Sequence, residues 1–169
     1  SGITSANIAD GTIVNADINS SAAIAGTKVD GSFGKVLQVV SFSTTTEVSS
    51  SSTTYVNSNI VKSITPSSTS SRILILTSFG SEVHGGDADS GLGVAITRDA
   101  TTLTSTEIGM YVSNGNAWGS EIEQISSISY LDSPATTSAV EYRLAFKAKY
   151  GATAIVRKGQ TITLMEIGA

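Results

Sequence analysis

The chain has 169 residues and a net charge of −4; it is 40% hydrophobic but only 14% charged and 6% aromatic. That length holds one domain with a short appendage, and the charged share falls well below the roughly 25% of an ordinary globular domain. Serine and threonine take the place of the Ala, Leu, Glu and Lys that a helical bundle needs, while a mean hydropathy of +0.14 excludes disorder throughout.

The basic residues are scattered, so no clustered face for nucleic acid is expected. The chain has no cysteine, which excludes a disulfide framework, a thiolate metal site and a cysteine nucleophile. No apolar run approaches the ~20 residues of a membrane span, and membrane insertion is not expected. The chain opens on Ser1 rather than Met. That fits a removed initiator and the end of a longer protein equally.

Residues 1–30 form a separate piece. Ile3, Ile8, Ile13 and Ile18 recur at every fifth position, and the pattern resumes at Ile24 and Val29. This spacing matches neither a helix nor a flat strand. It suits a chain that turns a corner once per repeat and points one apolar residue at an axis each time. Asn7 and Asp17 stand where a polar side chain bonds the backbone of a turn. The pattern resembles the Ala-Asn/Asp-Leu pentapeptides of quadrilateral β-helices. Six repeats are too few for an independent solenoid. The residues are therefore expected to form a stem buried by identical neighbours, the alternative being an extended linker.

A Gly-rich hinge at 31–34 leads into a body at 35–169. Strands are expected at Val36–Ser43, Thr53–Thr65, Arg72–Phe79, Gly91–Arg98, Glu107–Val112, Glu121–Tyr130, Ala139–Tyr150, Thr153–Arg157 and Thr161–Ile167. About nine strands without a helix predict an antiparallel, jelly-roll-like β-sandwich. In the segment 140–150, Val140, Tyr142, Leu144, Phe146, Ala148 and Tyr150 share one face, with Glu141, Arg143, Lys147 and Lys149 on the other. Ile73-Leu74-Ile75-Leu76 is apolar on both faces, which places it between two layers or against another subunit. Asn114-Gly115 is a two-residue hairpin signal. The Ser/Thr-rich tracts 43–54 and 65–71 are expected as loops or edge strands.

Candidate chemistry is sparse. Asp87 and Asp89, followed by Gly91, have the spacing of the start of a calcium loop. Arg98 stands where an EF-hand carries its bidentate acid. The loop is a hydrophilic turn or a weak cation site, and no cofactor is expected. The single histidine, His84, suits a turn or an interface better than a metal site. No Gly-x-Ser-x-Gly elbow occurs. Glu121, Glu123 and Asp132 offer carboxylates, but on a strand's outer face and its following turn, where acids ordinarily solubilise. An enzyme is not expected. Around the predicted hairpin, Tyr111, Asn114, Asn116 and Trp118 combine flat apolar rings with amide groups. That set suits a glycan, although large aromatics are as often packed in a core or interface.

The stretches Ile8–Asn19 and Ser21–Lys28 are similar to segments of tail-fibre and related virion proteins of tailed bacteriophages, particularly marine phages and cyanophages. Ile64–Leu74, Tyr130–Thr137 and Thr161–Ile167 resemble the terminal domains of such proteins. The resemblance implies a homotrimer on the virion, with a fibrous stem carrying a jelly-roll head and meeting other virion proteins through that stem. It implies the distal end of a tail fibre that binds a host-surface polysaccharide, or alternatively a capsid decoration or head-fibre protein anchored by the stem. It transfers no named binding residue.

Overall fold

The computed structural model describes residues 35–85, 89–113 and 122–168, together with 6, 8–9, 11, 13–19 and 21–22. The chain divides into two compact units, 1–33 and 34–169.

In the first unit the described residues hold a 3-10 turn at Asn15–Asp17. They show no strand, where a repetitive β stem is expected. A strand needs a ladder partner, and the described part of this unit supplies none. Asp17 Oδ2 accepts the N–H of Val14 at 2.9 Å, which closes the turn locally instead.

The second unit is all-β. Ten strands run β1 (Val36–Thr44), β2 (Val48–Ser50), β3 (Val56–Ile64), β4 (Arg72–His84), β5 (Asp89–Arg98), β6 (Thr101–Ser113), β7 (Ile122–Asp132), β8 (Val140–Lys149), β9 (Thr153–Val156) and β10 (Gln160–Ile167). One sheet has six strands and follows β1-β10-β4-β9-β2, with β7 on the free side of β4; the other has four, β3-β8-β5-β6. All pairings are antiparallel.

The six-stranded sheet has four rows. β9 and β10 lie one after the other along the same edge of β4, and β1 and β2 lie one after the other along β10 and β9. With those two rows counted once each, the chain pairs its first row with its last, second with seventh, third with sixth and fourth with fifth. A long antiparallel hairpin rolled upon itself gives this order, the jelly roll. One end of the sandwich gathers the connections 65–71, 99–100 and 133–139 with the chain's entry at Lys35; it is called the base here. The other end, the tip, gathers 51–55 and 150–152 with His84, Asp89, Ser113 and Ile122, the ends of β4, β5, β6 and β7.

Strand alternation builds the core. Ile73, Ile75, Phe79 and Val83 of β4, Ile162 and Leu164 of β10, and Val140, Tyr142, Leu144, Phe146 and Ala148 of β8 are buried between the sheets. Each large side chain so removed from water contributes about 1.5–3 kcal/mol. Tyr150 does not continue this face: it is 50% exposed at φ 54, because the chain has left the strand for the turn that leads to β9.

Several expected boundaries change, β6 among them, which begins at Thr101 rather than Glu107. β4 runs on to His84, because β7 and β9 flank its far end and supply ladder partners there. β2 appears as a short edge strand inside the Ser/Thr tract. The hairpin expected at Asn114-Gly115 lies outside the described residues; of the strands that flank it, β6 pairs with β5 in one sheet and β7 with β4 in the other. A tight hairpin lies at Asp99-Ala100, joining β5 to β6. There Asp99, at φ 50, donates its N–H to Glu141 O at 2.8 Å and accepts the N–H of Glu141 on Oδ1 at 3.1 Å. A short polar side chain tolerates this left-handed backbone through such local bonds.

Candidate functional site

The two rows that break in mid-sheet do so at the same height, and the break creates a site. Between β9 and β10 the chain passes through Gly159 at φ 78, a backbone that favours glycine. Arg157 donates its N–H to Gly80 O at 2.8 Å, and Gly159 donates its own to Thr44 O at 3.2 Å. Arg157 thereby lies over the outer face of β4, above Gly80. Its Cβ would stand only 2.8 Å from a Cβ at Gly80, so only glycine lets the two backbones approach this closely.

From there the guanidinium collects carboxylates from three rows. Nη1 meets Glu47 Oε2 at 2.9 Å, Nε lies 3.7 Å from Glu123 Oε1, and Nε also pairs with Glu82 Oε2. His84 Nε2 contacts the other oxygen of Glu82. Glu82 points away from the core yet is 0% exposed, which a carboxylate tolerates only when paired. The hydrogen bond to Glu47 is the largest cause that pushes the Arg157 guanidinium up; desolvation opposes it, and the Glu82 charge reinforces it.

Beside this cluster lies a cleft of about 530 Å³, bordered by Ser78, Gly80, Glu123, Ile125, Arg157 and Lys158. Its walls carry both signs of charge and one apolar knob, Ile125, which is 85% exposed. The carboxylates of Glu47 and Glu82 are held by Arg157, and the cleft's described lining has no histidine to activate a hydroxyl. The arrangement suits contact with a polar surface better than acid–base chemistry.

The base is built differently. Asp132 closes β7 inside the sandwich, not in the turn where the sequence reading placed it. There it accepts Arg98 Nη1 at 2.7 Å and Tyr142 Oη at 2.6 Å, joining one sheet to two strands of the other. Burial, reinforced by the bond to Asp132, pushes the Tyr142 phenol up. Glu166 accepts Ser67 N–H at 2.7 Å and Ser67 Oγ at 2.6 Å, with Gln38 Nε2 at 2.6 Å on its other oxygen. Burial would push this carboxyl up, but the bonds from Ser67, Ser71 and Gln38 outweigh it and bring it down to about 2. These groups stitch the base connections to the sheets.

The sequence-selected residues fall mostly at the tip. Asp89 opens β5 opposite Ser113, and Tyr111 faces Gly91 in the same ladder. The segments carrying the two candidate sets therefore leave neighbouring strands at one end of the sandwich. Asp87, Asn114, Asn116, Trp118 and Glu121 lie outside the described residues, as do Ile3, Asn7, Ile24 and Val29. Among the described residues no group of three His, Cys, Asp or Glu is placed to hold a metal ion. Ile8, Ile13 and Ile18 are 41%, 54% and 39% exposed in the single chain.

The sequence reading missed the Arg157 cluster and the Glu166 cradle. Glu47, Glu82, Glu123 and Arg157 are far apart in the chain, and only the roll brings them together. One local signal existed: Glu82 and His84 sit two apart, hence on one face of a strand.

A scan against protein-family models finds no match, and neither does a search of curated proteins. Among solved structures the chain is similar to the VP2 subviral particle of infectious bursal disease virus, at 12% identity and a TM-score of 0.39. The match covers 77% of this chain and 39% of that one, so the chain spans well under half of its length.

Proposed function

We propose that the chain is a structural protein of a virus particle, self-associating as a trimer, whose head projects from the particle and binds a host-surface polysaccharide. One observation carries this reading. The chain's entry at Lys35 and the Glu166 and Asp132 locks stand at one end of the jelly roll; at the other, β5 opens with Asp89 opposite the last residue of β6, the strand that carries Tyr111, and Asp87, Asn114, Asn116 and Trp118 follow or precede these strand ends in the sequence. A head tethered at one end and displaying its connections at the opposite end suits a fibre tip. Aromatic and amide groups there fit the C–H faces and hydroxyls of a sugar. Three heads on one stem would raise weak single-site binding to useful avidity. The resemblance to phage tail-fibre proteins supports the same reading, with the stem as the segment that meets other virion proteins.

The test is binding of the full chain to immobilised surface polysaccharides, compared with a Trp118→Ala variant. Loss of binding at an unchanged melting temperature supports the receptor face. If the variant melts well below the parent, Trp118 belongs to the core and the receptor assignment falls. Copy counting on intact particles decides between a fibre tip, present in few copies, and a capsid decoration protein, present at every lattice point.

A further inference from the structure

We infer that the outer face of the six-stranded sheet is the surface on which copies of this chain meet. The inference rests on the self-association proposed above and names the part of the head that carries it.

Four apolar residues form one lateral row across that face. Val39 pairs with Met165, Met165 with Leu74, and Leu74 with Leu131. All four point away from the core, because their neighbours Val40, Leu164, Ile73, Ile75 and Tyr130 point into it. Val39 is 54% exposed, Leu131 38%, and Leu76, one step up the same face, 40%. This explains why Ile73–Leu76 is apolar on both sides. A sandwich needs one apolar face of β4, and the second is an exposed patch of the kind that marks an interface.

Charge balance argues for a second copy as the occupant. The outer face of the six-stranded sheet carries Glu47, Glu82 and Glu123 with Arg72, Arg157 and Lys158, in balance. In a cyclic assembly every residue keeps its height along the axis. Apolar row then meets apolar row near the base, and the mixed-sign cluster meets its own copy near the tip, with no net repulsion to overcome. At its base end the same face borders Val36 and Leu37 of β1, 51% and 45% exposed.

The protein contains no cysteine, so single thiols report the face cleanly. Leu76→Cys and Leu131→Cys are placed on it, and Ser63→Cys, exposed on the outer side of the four-stranded sheet, is the reference. In the native full chain the first two thiols react with a maleimide at least an order of magnitude more slowly than the third. All three react alike in urea, and a short bis-maleimide joins Leu76→Cys between copies. Sedimentation of the same samples separates the outcomes. Equal native rates in a chain that still sediments as an oligomer overturn this face and leave self-association standing. Equal rates in a chain that sediments as a monomer overturn both.

Discussion

The two ends of the sandwich handle charge in opposite ways. At the base, Asp132 and Glu166 are drawn inside and bonded by several donors each, so that they fasten connections to sheets. At the tip-ward end of the outer face, Glu47, Glu82 and Glu123 share Arg157 beside an open cleft. A buried carboxylate is costly unless its lone pairs are filled. The base meets that demand with dedicated partners, whereas the Arg157 cluster meets it with a single cation serving three acids. The base is therefore the more densely bonded end.

The largest effect that tests this contrast is expected at Asp132. Asp132→Ala leaves Arg98 and the Tyr142 hydroxyl without their shared acceptor between the sheets, at a cost of about 3 kcal/mol, read from urea unfolding. A loss below the noise would make the base no stiffer than the tip.

Glu166→Gln comes next, at about 1–2 kcal/mol, because the amide cannot accept from Ser67 and Gln38 together. Its acid dependence is a sharper signature. The folded carboxyl stands near 2, below its ordinary 4.5, so the stability it contributes is complete above the ordinary value and is lost as pH falls from 4.5 toward 2. Melting measured across that window should fall more steeply in the parent than in Glu166→Gln; parallel curves would remove the cradle from the account.

Gly80→Ala forces its new methyl against Arg157 and is expected to destabilise by about 1 kcal/mol, with the Arg157 cluster loosened. The check is whether a Gly80→Ala, Arg157→Gly double variant recovers part of that loss, since neighbours that clash do not add. The smallest effect on the sandwich is expected from replacing Ile8, Ile13 and Ile18 together by Asn. Self-association measured by sedimentation weakens, while the melting of the β-sandwich stays in place. An unchanged sedimentation profile would count against a packed leading segment.

Much of the fold was legible in the sequence because β structure is written in short-range alternation. Val140–Ala148 announced a half-buried strand by itself, and the doubly apolar Ile73–Leu76 announced a strand with apolar residues on its outer face as well. Turn chemistry was less legible, because it depends on distant partners. Asp99-Ala100, with no glycine, closes the tight turn because Glu141 bonds both the backbone and the side chain of Asp99. The candidate site was legible only in part. Asp87, Asp89, Asn114 and Trp118 stood out as exposed-loop chemistry. Glu82 and Arg157 did not, because no local pattern tells an acid on an outer face that it will be covered.

The sequence by itself determined the all-β class, the division near residue 33, the strand faces and the surplus of outward apolar residues. Each of these follows from neighbours within a few residues. Only the tertiary structure decided the rolled pairing of first row with last, the ion cluster around Arg157, and the burial of Asp132 and Glu166. Those depend on contacts between residues far apart in the chain, where the fit of whole strands outweighs any local preference.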